Sequence, residues 1–222
     1  MSDAIRVGLV GFGYASKTFH APLIGGTPGM ALKAVASSDA DKVHADWPGV
    51  KVMSAPGDLL DDPDIDLVVI ATPNDTHFPL AKAALEAGKH VVVDKPFTVT
   101  LSQARELESL AKHCGRILSV FHNRRWDSDF LTVSALINEG QLGEVCYFES
   151  HFDRFRPQVR QRWREQAGPG SGIWYDLAPH LLDQVVVLFG LPVSITVDLA
   201  QLRPGAQSTD YFHAVLAYPQ RR

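Results

Sequence analysis

The strongest constraint on the fold of this chain lies in its first sixteen residues. A largely aliphatic run, Ile5-Arg6-Val7-Gly8-Leu9-Val10, stops abruptly at Gly11-Phe12-Gly13-Tyr14-Ala15-Ser16. A strand entering a G-x-G-x-x-S turn, followed by an amphipathic segment from about Ala15, is the first step of a dinucleotide-binding α/β domain. The first glycine permits the tight turn, and the second lets the backbone approach a pyrophosphate. The third position, here Ser16, takes a small residue for close helix–strand packing. The helix N-terminus then offers free N–H groups and the positive end of its dipole to the phosphates.

In such domains an acidic residue at the end of the second strand holds a ribose 2′-hydroxyl. Here Ala31–Ala36 ends in Ser37-Ser38-Asp39 with Lys42 close behind. Two hydroxyls and a lysine suit a 2′-phosphate better than a bare ribose, which favours NADP over NAD. Asp39 keeps NAD as the alternative.

The rest of the first half alternates in the same way. Lys51–Met53 reads as a short strand and Leu67–Ala71 as a buried one, followed by Thr72-Pro73-Asn74-Asp75-Thr76-His77. Asp75 or Thr76 is expected to cap a helix that Gly88 ends. Val91-Val92-Val93 is a further strand, and Thr100-Leu101-Ser102-Gln103 a capping box for a helix stopped by Gly115. Ile117–Phe121 completes the set as a buried strand. This is a doubly wound, parallel Rossmann sheet over residues 1–122.

From residue 123 the pattern changes. Asp129 to about Asn138 reads as a helix, and Val145 to Asp153 alternates like a half-exposed strand. Asp176 to Phe189 is a helix with Leu177, Leu181, Val185 and Leu188 on its buried stripe. Ile195–Leu202 and Phe212–Tyr218 read as strands. Residues 123–222 are therefore expected to form an α+β domain with an open, largely antiparallel sheet.

Composition narrows the function. A net charge of −4 gives no reason to expect nucleic acid or an anionic membrane as partner. No apolar run is long enough to span a bilayer, and Met1-Ser2-Asp3-Ala4 lacks the start of a secretory signal. Cys114 and Cys146 show no metal or redox spacing, as expected for thiols in a reducing cytoplasm.

Val91-Val92-Val93-Asp94-Lys95-Pro96 places a lysine just past a buried strand, where ligands of parallel sheets sit. Together with the glycine turn and Asp176-Leu177-Ala178-Pro179-His180-Leu181-Leu182-Asp183, it makes the chain resemble the Gfo/Idh/MocA oxidoreductases, near their NADP-dependent scyllo-inositol dehydrogenase branch. That family joins a Rossmann domain to an open-sheet domain and oxidises or reduces sugars, inositols and related polyols with NAD or NADP. Its Glu-Lys-Pro motif stands here as Asp94-Lys95-Pro96. Its D-x-G-x-H-x-x-D motif is matched at Asp176, His180 and Asp183, with Ala178 in the glycine position. Asn123-Arg124-Arg125-Trp126-Asp127 also fits that branch. Family members continue well past this length, so the second domain is expected to be truncated here, with homo-oligomer formation a property of the full-length protein.

The resemblance implies that Lys95 and His180 handle the proton of the reacting hydroxyl, while the nicotinamide exchanges the hydride. Imidazoles titrate near neutral pH and a nearby ammonium eases deprotonation, so both residue types suit the task. Asp176, one helical turn before His180, is expected to orient the substrate or the imidazole. Asp183 is either a supporting group or a capped or solvated carboxylate. The resemblance also implies nucleotide contacts from Phe12, Tyr14, Ala15, Thr72, Pro73, Asn74, His77, Asp94, Lys95 and Asn123, with Asn123 close to the substrate too. His122 lines the cleft or simply packs. The basic stretch Arg154–Arg164 is expected to border the substrate, Trp163 touching it and Trp174 covering a sugar face; its arginines leave open a carboxylate- or phosphate-bearing substrate. No metal is expected. The alternative, from a different class of function, is a non-catalytic nucleotide-sensing or partner-binding module on the same fold.

Overall fold

The computed structural model describes residues 4–219 and divides the chain into two compact units, the first ending at Phe121 and the second starting at His122. The first unit holds β1 (Ile5–Val10), α1 (Ala21–Gly26), β2 (Met30–Ala36), α2 (Ala40–His44), β3 (Lys51–Met53), α3 (Pro56–Leu60), β4 (Leu67–Ile70), α4 (His77–Glu86), β5 (His90–Asp94), α5 (Leu101–Cys114) and β6 (Leu118–Phe121). Its six strands are all parallel, in the order β3-β2-β1-β4-β5-β6. The chain works outward from β1 to one edge, then returns to its other side at β4. The order therefore reverses between β1 and β4, where doubly wound sheets place their ligands.

Strand alternation builds two cores, one on each face of the sheet. Val7, Leu9, Val35 and Val69 pack with Ile24 and Val43 on one face. Val10, Ala34, Ala36, Val68, Ile70, Val91 and Val93 pack with Leu59, Leu85 and Leu107 on the other. Fully buried residues such as Leu59 and Leu107 each contribute about 2 kcal/mol relative to exposure.

Helix boundaries follow local chemistry. The expected capping box at α5 forms: Thr100 Oγ1 accepts from the Gln103 N–H at 3.3 Å, and the Gln103 side chain accepts from the Thr100 N–H at 3.3 Å. Gly115, left-handed at φ 62°, ends the helix. At α4 the expected side-chain cap does not form. Thr76 Oγ1 donates instead to the Pro73 carbonyl at 2.6 Å and meets Thr72 Oγ1 at 2.6 Å, so the hydroxyl stabilises the preceding turn. Ile117–Phe121, expected to be buried, proves to be the edge strand β6, with Ser119 exposed and Leu118 and Val120 only partly covered. An edge strand has a neighbour on one side only.

The second unit holds α6 (Ser128–Asn138), α7 (Gly172–Phe189), β7 (Ser194–Ala200) and β8 (Tyr211–Ala217). β7 and β8 pair antiparallel, with Ser194 opposite Ala217 and Ala200 opposite Tyr211. Residues 145–153 do not form the expected strand. Their alternation survives as packing: Phe148 meets Phe189 at a ring separation of 5.4 Å, Phe152 lies 5.2 Å from the Arg124 guanidinium, and Tyr147, Glu149, His151 and Asp153 are exposed. A strand exists only as part of a ladder, and this segment has none among the described residues. Helix α7 starts four residues before the expected Asp176. Gly172, at φ 85°, sits against the Thr209 backbone, and the Ile173 N–H donates to the Thr209 carbonyl at 2.6 Å. Leu177 and Leu181 are buried, whereas Val185 and Leu188 are half-exposed.

Candidate active site

The carboxyl ends of β1, β2, β4 and β5 carry the sequence-predicted residues of the first unit. After β1, Gly11 takes φ 88° and its N–H donates to the Ala36 carbonyl at 2.9 Å. A Cβ there would stand 2.6 Å from the Ala71 carbonyl oxygen, so only glycine fits this crossing point. A Cβ on Gly13 would meet nothing within 4 Å, which leaves open space beside the backbone. Ser16 is fully buried, and its hydroxyl donates to the Gly11 carbonyl at 2.9 Å, closing the turn. The continuous helical run from Tyr14 to Gly26 starts directly after Gly13, which has no side chain to cap it. An uncapped helix start beside an open glycine fits the pyrophosphate of a dinucleotide. Phe12 turns its ring into the core, so only its backbone is available to a ligand, while Tyr14 is exposed.

At the end of β2, Ser37 is half-buried and Ser38, Asp39 and Lys42 are exposed. Asp39 Oδ1 accepts from the Lys42 N–H at 3.0 Å, so this carboxylate is the N-cap of α2. The Asp39 N–H donates to Ser37 Oγ at 3.2 Å. After β4, Thr72 is half-buried, Pro73 exposed and Asn74 buried. His77, expected beside the nucleotide, is wholly enclosed: Nδ1 lies 2.8 Å from the Pro96 carbonyl and Nε2 lies 3.0 Å from the Thr72 carbonyl.

After β5 comes Lys95, half-buried, joined to Pro96 by a cis peptide. Asp94 Oδ1 accepts from the Lys95 N–H at 2.7 Å. Burial pushes the Asp94 carboxyl up, but His20, the Lys95 charge and the Lys95 N–H together hold it below its ordinary value. His20 was not singled out from the sequence. Its ring is buried against Phe121, with centroids 4.2 Å apart, and Nε2 lies 3.7 Å from Asp94 Oδ2. The available signal was spacing: Ser16, His20 and Ile24 recur every four residues, which puts two polar side chains on the stripe that a helix buries.

In the second unit, α7 carries Asp176, His180 and Asp183. His180 is buried at 6% exposure and Asp176 is half-buried, with Arg164 Nε 3.6 Å from its Oδ1. Asp183 is not a solvated carboxylate. Arg125 donates to both of its oxygens, at 2.7 and 2.6 Å, and His122 Nδ1 lies 3.8 Å away. The Gln184 amide donates to the Arg124 carbonyl at 2.9 Å. These contacts fasten α7 to the turn that contains Asn123, which is half-buried.

Arg162 and Arg164 of the basic stretch find partners within the chain. Buried Glu165 accepts from Arg162 at 2.9 Å and from the Arg160 N–H at 2.9 Å, and pairs with Arg203 at 3.2 Å. Arg164 stacks on Trp163 at 4.7 Å. A cavity of about 330 Å³ brings Arg154, Arg156, Arg162 and Arg164 together with Asp176. Trp174 lies edge-on to Phe212 in a separate cavity of about 650 Å³ lined by residues 145–154, α7 and β8. Among the described residues no cluster of His, Cys, Asp and Glu could hold a metal, and no helix is long and apolar enough to cross a membrane.

Comparison with known proteins follows these two parts. Residues 5–122 match the Gfo/Idh/MocA oxidoreductase family, NAD-binding Rossmann fold, and residues 134–222 match the C-terminal α/β domain of the same family. Over its whole length the chain is 80% identical to the uncharacterised oxidoreductase YdgJ of Escherichia coli, spanning 64% of that protein. It is 39% identical over 216 residues to scyllo-inositol 2-dehydrogenase (NADP(+)) IolW of Bacillus subtilis, covering 97% of this chain and 60% of IolW. A Yersinia pestis protein of solved structure superposes with a TM-score of 0.93 at 70% identity, covering all of this chain and 62% of that one. The chain thus spans less than two thirds of the relatives it matches.

Proposed function

This chain belongs to the Gfo/Idh/MocA oxidoreductase family, and on that premise we propose that it serves NAD(P)-dependent hydride transfer to or from a hydroxyl or carbonyl carbon of a sugar, inositol or related polyol. The observation that carries this reading is the shared setting of the Gly11–Ser16 turn and Lys95, both at carboxyl ends of one parallel sheet. The likeness to IolW supports the polyol class and favours NADP.

Gly11, Gly13, Tyr14 and Ala15 would hold the pyrophosphate through their backbone, with Thr72, Pro73 and Asn74 completing the nucleotide site. Ser37, Ser38 and Lys42 would take a 2′-phosphate. The α2 cap occupied by Asp39 supports that choice, because an oxygen already accepting an N–H is less available to a ribose. When bound, the nicotinamide supplies the hydride acceptor or donor.

The chain's own residues handle the proton. The Lys95 ammonium hydrogen-bonds the reacting oxygen and stabilises its alkoxide character. His180 takes the hydroxyl proton at an imidazole nitrogen in oxidation and returns it in reduction. Asp176 orients substrate hydroxyls, together with Asn123 and Trp163. Asp183 acts through Arg125, fixing α7 so that His180 keeps one orientation.

Fluorescence titration with NADPH and with NADH tests the cofactor assignment, and a polyol screen with Lys95→Ala as control tests the chemistry. Tighter NADPH binding and turnover lost only in the variant are expected. Binding of neither nucleotide would remove the Gly11–Ser16 assignment. Nucleotide binding without turnover on any polyol would instead favour a sensing module.

A further inference from the structure

We propose that His77 is a positioning residue for Lys95: its imidazole pins the Pro96 carbonyl, one residue past the lysine, to the turn that follows β4. The proposal rests on the reading of Lys95 given above. The ring is completely buried and its two nitrogens face two backbone carbonyls, Pro96 at 2.8 Å and Thr72 at 3.0 Å. A carbonyl oxygen only accepts, so a ring nitrogen that holds one must carry a proton. The contact to Pro96 reaches across 19 residues and joins the first residue of α4 to the turn that follows β5.

The lysine is consequently fixed on both sides. Its own N–H donates to Asp94 Oδ1 at 2.7 Å, and the carbonyl of the next residue is held by His77. Lys95 lies beyond the last residue of β5, where the sheet ladder no longer restrains the backbone. A side chain that must meet one reacting oxygen needs such restraint, because small misplacements of catalytic groups are costly in rate. An aliphatic residue would fill the same space but leave the buried Pro96 carbonyl without this donor.

Two substitutions separate the two contacts. In His77→Asn the amide nitrogen falls near the place of Nδ1 and can donate to Pro96. In His77→Gln it falls near the place of Nε2 and can donate to Thr72. The readout is the rate of reductive methylation of Lys95 relative to exposed Lys112 in the same molecule, followed by mass spectrometry, which requires no turnover. A loosened turn exposes Lys95, so methylation should rise at least about threefold in His77→Gln and stay within about twofold of wild type in His77→Asn. Equal rates in the two variants would overturn the proposal. Should neither variant fold, nitrogen-15 NMR of the unmodified chain decides: Nδ1 must carry a proton protected from exchange, and a bare Nδ1 overturns the clamp. Lys95→Ala in the turnover assay tests the underlying reading separately. Activity retained there would remove the lysine's catalytic role without altering the methylation result.

Discussion

His20 Nε2 faces Asp94 Oδ2 across 3.7 Å, inside a packed helix–sheet contact, one residue before Lys95. The Asp94 carboxyl is lowered from its ordinary value of 3.8: burial raises it, and His20 and Lys95 more than offset that. A depressed carboxyl adds stability that is present above about pH 4 and is lost as pH falls through the lowered folded value. Asp94→Asn should therefore flatten the acid limb of the stability curve. His20→Phe keeps the stacking on Phe121 but removes one of the two partners, so the depression shrinks and its acid limb should also be shallower than in wild type. Urea midpoints measured from pH 7 to pH 3 check both. An unchanged acid limb in Asp94→Asn would show that this pair does not contribute.

A second acid-sensitive tie closes the opposite end of the same sheet. Asp66 accepts from the Arg6 N–H at 2.9 Å and from the Arg6 guanidinium at 2.9 and 2.7 Å, joining the start of β1 to the residue before β4. Hydrogen bonds from the Arg6 side chain and backbone hold its pKa at about 2. Its contribution is present above about pH 4 and disappears as pH falls toward 2. Both side chains are about a third exposed, so the effect should be modest and weaker in high salt. Asp66→Asn should lower the midpoint at pH 7 but not at pH 2. A loss of equal size at both values would assign the effect to packing instead of charge.

Gly11→Ala is predicted to be severe. It forces a Cβ to 2.6 Å from the Ala71 carbonyl oxygen, in a backbone conformation that costs a non-glycine residue about 1–3 kcal/mol. Because Gly11 also accepts the Ser16 hydroxyl, nucleotide affinity should fall together with melting temperature. Gly13→Ala meets no atom within 4 Å and should leave stability nearly unchanged while reducing nucleotide binding. Calorimetry and NADPH titration of the pair separate the roles; intact NADPH affinity in Gly13→Ala would count against a pyrophosphate beside that backbone.

Most of the first unit was legible because its signals are local. The β1 turn, the Thr100–Gln103 box and the left-handed Gly115 each depend on residues a few positions apart, and the double core follows from period-two alternation. The second unit was less legible because its order depends on distant partners. The alternation in 145–153 predicts which side chains pack, but a ladder needs a neighbour that the segment itself does not specify. His77 and Asp183 show the same effect within the site. Their partners lie far off in sequence: His77 bonds carbonyls that include one 19 residues away, and Asp183 an arginine 58 residues away.

Glu165 is the centre of the charge network in the second unit. Burial raises its carboxyl, but the Arg160 N–H, Arg162 and Arg203 hold it below the ordinary value. Arg203 is further tied to Asp210 at 2.8 Å. Removing the buried acceptor in Glu165→Ala should destabilise the chain by about 2 kcal/mol, because two guanidinium groups and an N–H lose a charged partner. Glu165→Gln, which keeps an acceptor oxygen, should recover part of the loss. Urea unfolding measures both, and a glutamine variant no better than alanine would mean that charge, not hydrogen bonding, is what the site requires.

Arg125 holds Asp183 in a fork. The two parallel bonds at 2.7 and 2.6 Å match a planar guanidinium to a carboxylate, a geometry that an ammonium cannot reproduce. Arg125 is partly exposed, so Arg125→Lys should cost only about 1 kcal/mol in stability. Its effect on turnover should be larger, because Asp183 lies one turn after His180 on α7 and fixes that helix to the Asn123 turn. The expected pattern is a lower kcat with little change in the KM for NADPH, and Arg125→Ala should show a further fall in kcat. If kcat and NADPH KM change together, or not at all, the fork holds the fold without orienting His180.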